Sequence, residues 1–246
     1  MRKMEKIKLN TQPLDLAFHQ KKLFSGGSEI KGTARLLEEL REVVHDSEFY
    51  SKSNKKLELY FMFRNLYPAL NKYDLNYDIT ILSPTPMGKE FNKTLGHYHA
   101  QATPKLTYPE IYEVLHGEAH YLIQKLENGK IVDVLLIKAR KGDKVFVPPN
   151  YGHVTINPKN DFLVMANLVS NRLPSIYAPY KENKGGAYYE LDNNELIPNK
   201  VYGILPQIKV LNAPKCKLSD NLCNACAENP EIFAFLNNPN IQNELF

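Results

Sequence analysis

Two short segments, Thr94-Leu95-Gly96-His97-Tyr98-His99 and Gly152-His153-Val154-Thr155-Ile156-Asn157, restrict this chain more than any other part of it. His97 and His99 stand two apart in a strand-like stretch, and a strand turns residues i and i+2 to the same face. Glu110 comes eleven residues after His99, and His153 lies just beyond Val147-Pro148-Pro149-Asn150-Tyr151-Gly152. Three neutral imidazoles and one carboxylate suit a borderline divalent cation (Fe²⁺, Zn²⁺, Ni²⁺ or Mn²⁺) with positions left for water or substrate. A single strand histidine is ordinarily a packed or hydrogen-bonded residue. The turn residues around these four set them apart: Gly117 is seven after Glu110, Gly142 is six before Pro148, and Asn157 is four after His153.

The surrounding pattern is that of short strands. Tyr77 to Leu82 alternates apolar and polar, and Ser83-Pro84-Thr85-Pro86-Met87-Gly88 breaks the run. Further strands are predicted near 108–115, 119–126, 131–138, 144–148, 153–157 and 162–168, with Asn128-Gly129 as a hairpin turn between two apolar runs. Many short strands at this spacing form a closed sandwich or barrel. Upstream, Leu36, Leu37, Leu40, Val43 and Val44 recur at helical spacing behind a capping Thr33, and a second short helix is predicted at about 53–64. The chain thus divides into an N-terminal extended and helical segment (1–76) packed on the barrel, the barrel itself (77–205), and a cysteine-containing C-terminal extension (206–246). Within the last, a helix is predicted around Pro230 to Leu236.

Composition narrows the class. Apolar residues make up 43% of 246 residues, enough for a globular core. The balance of 31 basic to 27 acidic residues is too mild for a nucleic-acid partner, yet compatible with a phosphorylated substrate. No apolar run is long enough to span a bilayer, and the charged start Met1-Arg2-Lys3-Met4-Glu5-Lys6 is not followed by a secretory apolar segment. Three cysteines do not make a complete disulfide framework, and the expected location is the cytoplasm.

His-x-His, a later Glu, Gly117, Gly142-x5-Pro148 and His153-x3-Asn157 together resemble the paired motifs of the cupin superfamily. That resemblance implies an all-β core, a double-stranded β-helix (jelly-roll) barrel, here with an N-terminal helical lead-in and a C-terminal extension. More narrowly, Lys93 to His99, Pro109-Glu110-Ile111-Tyr112 and Val147-Pro148-Pro149 followed by His153 resemble the cupin-type glucose-6-phosphate isomerases of archaea and some bacteria. The resemblance spans about residues 77–170. It implies a metal-dependent isomerase interconverting glucose 6-phosphate and fructose 6-phosphate in glycolysis and gluconeogenesis, acting as a homodimer with one divalent metal ion per chain. The implied metal ligands are His97, His99, Glu110 and His153. Thr80, Thr94 and Gly96 would hold the sugar phosphate, with Tyr188 as a distal tyrosine, and Glu110 and Tyr112 would be catalytic.

Other readings stand beside these. The same ligands could serve an iron-dependent dioxygenase, or a non-catalytic cupin that binds a small molecule. Thr80 and Thr94 read equally as ordinary β-branched strand residues, and Tyr112 as a barrel-lining aromatic. Lys89 and Lys93 read as solvated lysines, and His116 and His120 as structural or exposed. Cys216, Cys223 and Cys226 could bind Zn²⁺ with a fourth ligand, or be reduced and unliganded. Hydrogen transfer could proceed by a proton route through a base or by a hydride shift.

Overall fold

The computed structural model describes residues 5–246. Two antiparallel sheets face one another, and the chain passes repeatedly between them. The first has six strands in the order Lys144–Val147, Glu110–His116, Leu163–Ser170, Leu75–Leu82, Glu58–Phe63 and Thr33–Leu36. The second runs Lys209–Asn212, Lys130–Arg140, Glu118–Glu127, Tyr151–Asn157 and Asn92–Lys93, its Lys209–Asn212 strand pairing in parallel. Gly117, at φ +82°, is the corner where the chain leaves the first sheet for the second. Asn128 and Gly129, both at positive φ, form the predicted hairpin turn, whose required left-handed conformations those residues adopt most easily. This alternation between two packed sheets is the jelly-roll arrangement.

The two sheets meet through side chains on their inner faces. The rings of Tyr112 and Tyr121 lie 5.1 Å apart, and the Tyr121 hydroxyl donates to Met165 Sδ at 3.7 Å. A second apolar layer covers the back of the six-stranded sheet. There Tyr77, Ile79, Ile111 and Leu168 pack with Phe18 and Leu23 of an N-terminal four-stranded sheet and with Leu222, Phe233 and Leu236 near the C-terminus. Burying a side chain such as Leu222 or Leu236 completely contributes roughly 1.5–3 kcal/mol. These residues therefore fasten both ends of the chain to the barrel.

The helical lead-in differs from expectation. Thr33–Leu36 is a strand, followed by a 3-10 turn at Leu37–Leu40, and Glu58–Phe63 is an inner strand of the six-stranded sheet. The helically spaced leucines are buried all the same: Leu37, Leu40 and Val43 enter the core from the turn and its sequel. Glu58–Phe63 buries both faces, so its sequence carries no period-two alternation to betray it. A short helix does form at Ser47–Lys52, where Asp46 Oδ1 accepts from Phe49 N at 2.9 Å. Near the C-terminus the predicted helix at Pro230–Leu236 is a 3-10 helix, preceded by an α-helix at Leu222–Glu228.

All three cysteines are free, and they join no metal-binding group among the described residues. Cys223 and Cys226 are wholly buried in the apolar layer, and burial pushes the Cys223 thiol up to about 12. A thiol held so far from ionisation is a packing residue here.

Candidate metal centre and substrate cavity

The strands that fix the centre differ in how much structure they need. Glu110 begins a strand of the first sheet, while His153 lies within one of the second. His97 reaches the same place through an isolated bridge: its N–H donates to the His153 carbonyl at 3.1 Å and its carbonyl accepts from His153 N at 3.0 Å. His99 follows in the two-residue strand Tyr98–His99. The structure thus brings together four residues from both walls, one donor atom of each lying within 4.8 Å of all the others.

The local geometry suits a cation. His99 Nε2 stands 3.2 Å from His97 Nε2 and 3.3 Å from Glu110 Oε2, and His153 Nε2 is 3.3 Å from the same oxygen. His99 Nδ1 lies 2.7 Å from the Tyr108 carbonyl, which can only accept, so the proton sits on Nδ1 and the Nε2 lone pair faces the centre. Asn167 Nδ2 donates to Glu110 Oε1 at 2.7 Å, whereas the buried Oε2 has no hydrogen-bond partner among the described residues. A buried carboxylate oxygen facing several nitrogen lone pairs is costly on its own. A divalent ion held among the four donor atoms would relieve that cost. Burial lowers the His97 pKa well below its ordinary value and brings His153 to about 4, so both rings are neutral at pH 7, the form that ligates metal. Burial pushes Glu110 upward, but the adjoining His99 and His153 rings outweigh it and hold the carboxyl below the usual carboxylate range.

A cavity of about 250 Å³ opens from this centre. Tyr112 lines it, its hydroxyl 2.9 Å from His153 Nε2, with its pKa raised first by burial and then by Glu110. Thr80, Thr94 and Gly96 also line it. Thr94 is fixed to the neighbouring strand, its N–H donating to the Thr155 carbonyl at 2.8 Å and its Oγ1 accepting from Thr155 N at 3.0 Å. Gly96 has φ +84°, and a Cβ there would come within 2.6 Å of both the Tyr180 ring and Val154. Gly96→Ala is therefore expected to cost about 2–4 kcal/mol, through left-handed strain added to overpacking, read as a lower midpoint in denaturant unfolding.

Tyr188 lies elsewhere. It belongs to the small strand Tyr188–Glu190 and its hydroxyl donates to the Pro206 carbonyl at 2.9 Å, outside the cavity. The tyrosine that does reach the cavity from this part of the chain is Tyr177, its ring 5.4 Å from that of His97. Lys93 is not solvated: it is buried, paired with Glu90, and donates to the Val43 carbonyl at 2.9 Å. His120 is a buried structural residue, its Nδ1 2.7 Å from Glu190 Oε1. Asn167, Arg64 and Asp78 are cavity residues that sequence reasoning passed over. A signal was present for two of them. Asn76, Asp78 and Thr80 form a polar period-two series, and Asn167 interrupts the apolar run from Leu163 to Val169.

Known proteins place this arrangement. The sequence model of the family described as glucose-6-phosphate isomerase (GPI) matches residues 34–207. The glucose-6-phosphate isomerase of Thermococcus gammatolerans is 29% identical over 171 residues, covering 66% of this chain and 86% of that protein. The Thermococcus onnurineus protein of the same name is 32% identical over 138 residues, 55% of this chain and 68% of its own length. The Pyrococcus furiosus enzyme is 40% identical over 84 residues, 34% of this chain and 40% of that one. Among solved structures, oxalate oxidase in complex with the substrate analogue glycolate superposes with a TM-score of 0.37 at 17% identity, over 49% of this chain and 55% of that one. The fold assignment rests on the sheets themselves, since a superposition that loose carries no weight. Because the family match takes in well over half of the residues, and with them the barrel and all four converging side chains, the chain belongs to the glucose-6-phosphate isomerase family.

Proposed function

We infer that the protein interconverts glucose 6-phosphate and fructose 6-phosphate, with hydrogen moving between C2 and C1 at the floor of the cavity. The observation that carries this reading is the convergence of His97, His99, Glu110 and His153 at one end of a cavity whose wall also holds Thr80, Thr94 and Gly96. The four residues would hold a divalent cation, which would supply Lewis acidity to the reacting end of the sugar. The isomerase assay runs on fructose 6-phosphate with and without chelator, followed by adding back single metals. Turnover that is indifferent to chelation would rule out the metal-dependent reading. Fe²⁺, Zn²⁺, Ni²⁺ and Mn²⁺ all suit the donor set.

This chain's own residues have separable tasks. In a proton route Glu110 takes the proton from C2 and returns it to C1, and Tyr112 donates a hydrogen bond to, or relays a proton between, the substrate hydroxyls. In a hydride route the hydrogen passes directly between the two carbons and no side chain receives it. One feature favours the second: with Asn167 donating to Glu110 Oε1 and Oε2 turned to the imidazoles, a cation held there would reduce the basicity of the carboxylate. Turnover in deuterated water decides between them, because a pure hydride shift leaves the transferred position free of deuterium.

Thr94 and Gly96 would receive the phosphate, the glycine because its bare backbone permits close approach. Thr94→Ala is expected to raise KM for fructose 6-phosphate about tenfold, with kcat within about threefold, in steady-state kinetics. A homodimer is part of this proposal. Val201, Ile204, Val210 and Leu211 are exposed apolar residues within one stretch of chain, which supports it, and sedimentation would test it.

A further inference from the structure

Besides Glu110, the cavity wall holds an ion pair that the four converging residues do not use. Arg64 follows directly on strand Glu58–Phe63, and Asp78 stands on the neighbouring strand Leu75–Leu82; both line the cavity. Arg64 Nη1 donates to Asp78 Oδ2 at 2.7 Å, and Asn65 N donates to Asp78 Oδ1 at 2.7 Å. The Asp78 side chain is only 4% exposed, whereas that of Arg64 is 54% exposed. The carboxylate is therefore a fixed anchor, and the guanidinium it holds is open to whatever enters.

The charges of the wall explain what that opening is for. Among the described residues, the lining contains two carboxylates, Asp78 and Glu110, and one permanent cation, Arg64. Threonine hydroxyls and backbone N–H groups donate hydrogen bonds but carry no net charge, so apart from a cation held at Glu110 the described lining residues offer a dianionic phosphate at Thr80 and Thr94 no positive charge but Arg64. The guanidinium also leans toward that end. Its second nitrogen lies 3.3 Å from Met62 Sδ, and Met62 pairs directly with Thr80 across the sheet. A guanidinium has five donors in a fixed fork that matches phosphate oxygens, and Asp78 occupies only one nitrogen.

We propose that Arg64, oriented by Asp78, is a further substrate-binding residue that takes the phosphate group of the sugar phosphate and selects it over the unphosphorylated sugar. The proposal rests on the isomerase reading for the identity of the substrate. It rests on the wall geometry for the anion site.

Three variants test it: Arg64→Met, Arg64→Lys, and the double variant Arg64→Met/Asp78→Asn, which removes both charges and so leaves no uncompensated carboxylate to disturb folding. Losing a charge-assisted fork is expected to raise KM for fructose 6-phosphate about 30- to 100-fold in both Met variants, with kcat within about threefold and metal content unchanged. Lysine keeps the charge without the fork and is expected to fall between. Competitive inhibition by inorganic phosphate should weaken in parallel with KM. A KM within threefold of the parent in the double variant, or a fall in kcat at constant KM, overturns the assignment. Thermal stabilisation by inorganic phosphate separates this proposal from the isomerase reading. If the parent protein fails to isomerise but is stabilised by phosphate, and Arg64→Met abolishes that shift, the anion site stands and the isomerase reading falls. Equal stabilisation of parent and variant removes the anion site whatever the activity.

Discussion

His153→Ala is expected to lose bound metal and isomerase activity together, with kcat/KM falling by at least about 10³-fold, since a Lewis acid of this kind contributes several kcal/mol to the barrier. The imidazole is 1% exposed, and its Nε2 lies within 3.3 Å of Glu110 and 2.9 Å of the Tyr112 hydroxyl. No neighbour can replace it, because His97 and His99 are each committed to positions of their own around the centre. The fold should survive. The two backbone hydrogen bonds between residues 97 and 153 do not depend on the side chain, and the strand Tyr151–Asn157 keeps its pairing with Glu118–Glu127. Elemental analysis after dialysis, an activity assay and circular dichroism on one preparation are the measurements. A variant that kept full turnover in the presence of chelator would sink the metal assignment.

Glu110→Gln separates charge from shape. The amide is nearly isosteric and can still accept from Asn167 Nδ2 through its oxygen, as Glu110 Oε1 does at 2.7 Å. It removes the one anionic donor from the group, so both metal retention and any base function suffer. Turnover is expected to fall about 10²- to 10⁴-fold, the range typical of a lost general base or a poorly stabilised developing charge, while KM changes by less than about tenfold. Refilling the variant with excess metal divides the effect. If turnover returns when metal content does, the carboxylate serves as a ligand alone, in keeping with a hydride shift. If full metal content leaves turnover low and solvent deuterium is incorporated by the parent enzyme, the carboxylate is also the base. A variant with both parent turnover and parent metal content would remove Glu110 from the site altogether.

What could be read along the chain follows the range of the interactions. The strand Leu75–Leu82, through the alternation of Tyr77 to Leu82, and the hairpin at Asn128-Gly129, through residues that accept positive φ, are both written locally, and both are present. The meeting of His97, His99, Glu110 and His153 could also be anticipated, the first two from their period-two spacing and Glu110 and His153 from the resemblance of their flanking motifs to those of the cupins. Strands Thr33–Leu36 and Glu58–Phe63 could not be. Glu58–Phe63 is buried on both faces and such a run has no amphipathic period to distinguish strand from helix, while Thr33–Leu36 is a four-residue edge strand, none of it fully buried, that only its pairing with Glu58–Phe63 defines. Tyr188 and Tyr177 show the same limit at the site. Both lie in the stretch beyond residue 170, and only the packing of that stretch decides which ring reaches His97.

The sequence by itself therefore determined the β class of the core and the set of side chains able to gather round a cation. The first follows from dihedral preference and strand periodicity, which act between near neighbours; the second follows, beyond the His97 and His99 pair, from the resemblance of the motifs around Glu110 and His153 to those of a known family. Only the tertiary structure decided that Asn167 holds Glu110, that Asp78 holds Arg64 open to the cavity, and that Cys223 and Cys226 lie idle in an apolar layer. Those outcomes depend on which buried polar groups find partners once the two sheets close, and partners that far apart in the chain meet only when the whole barrel has formed.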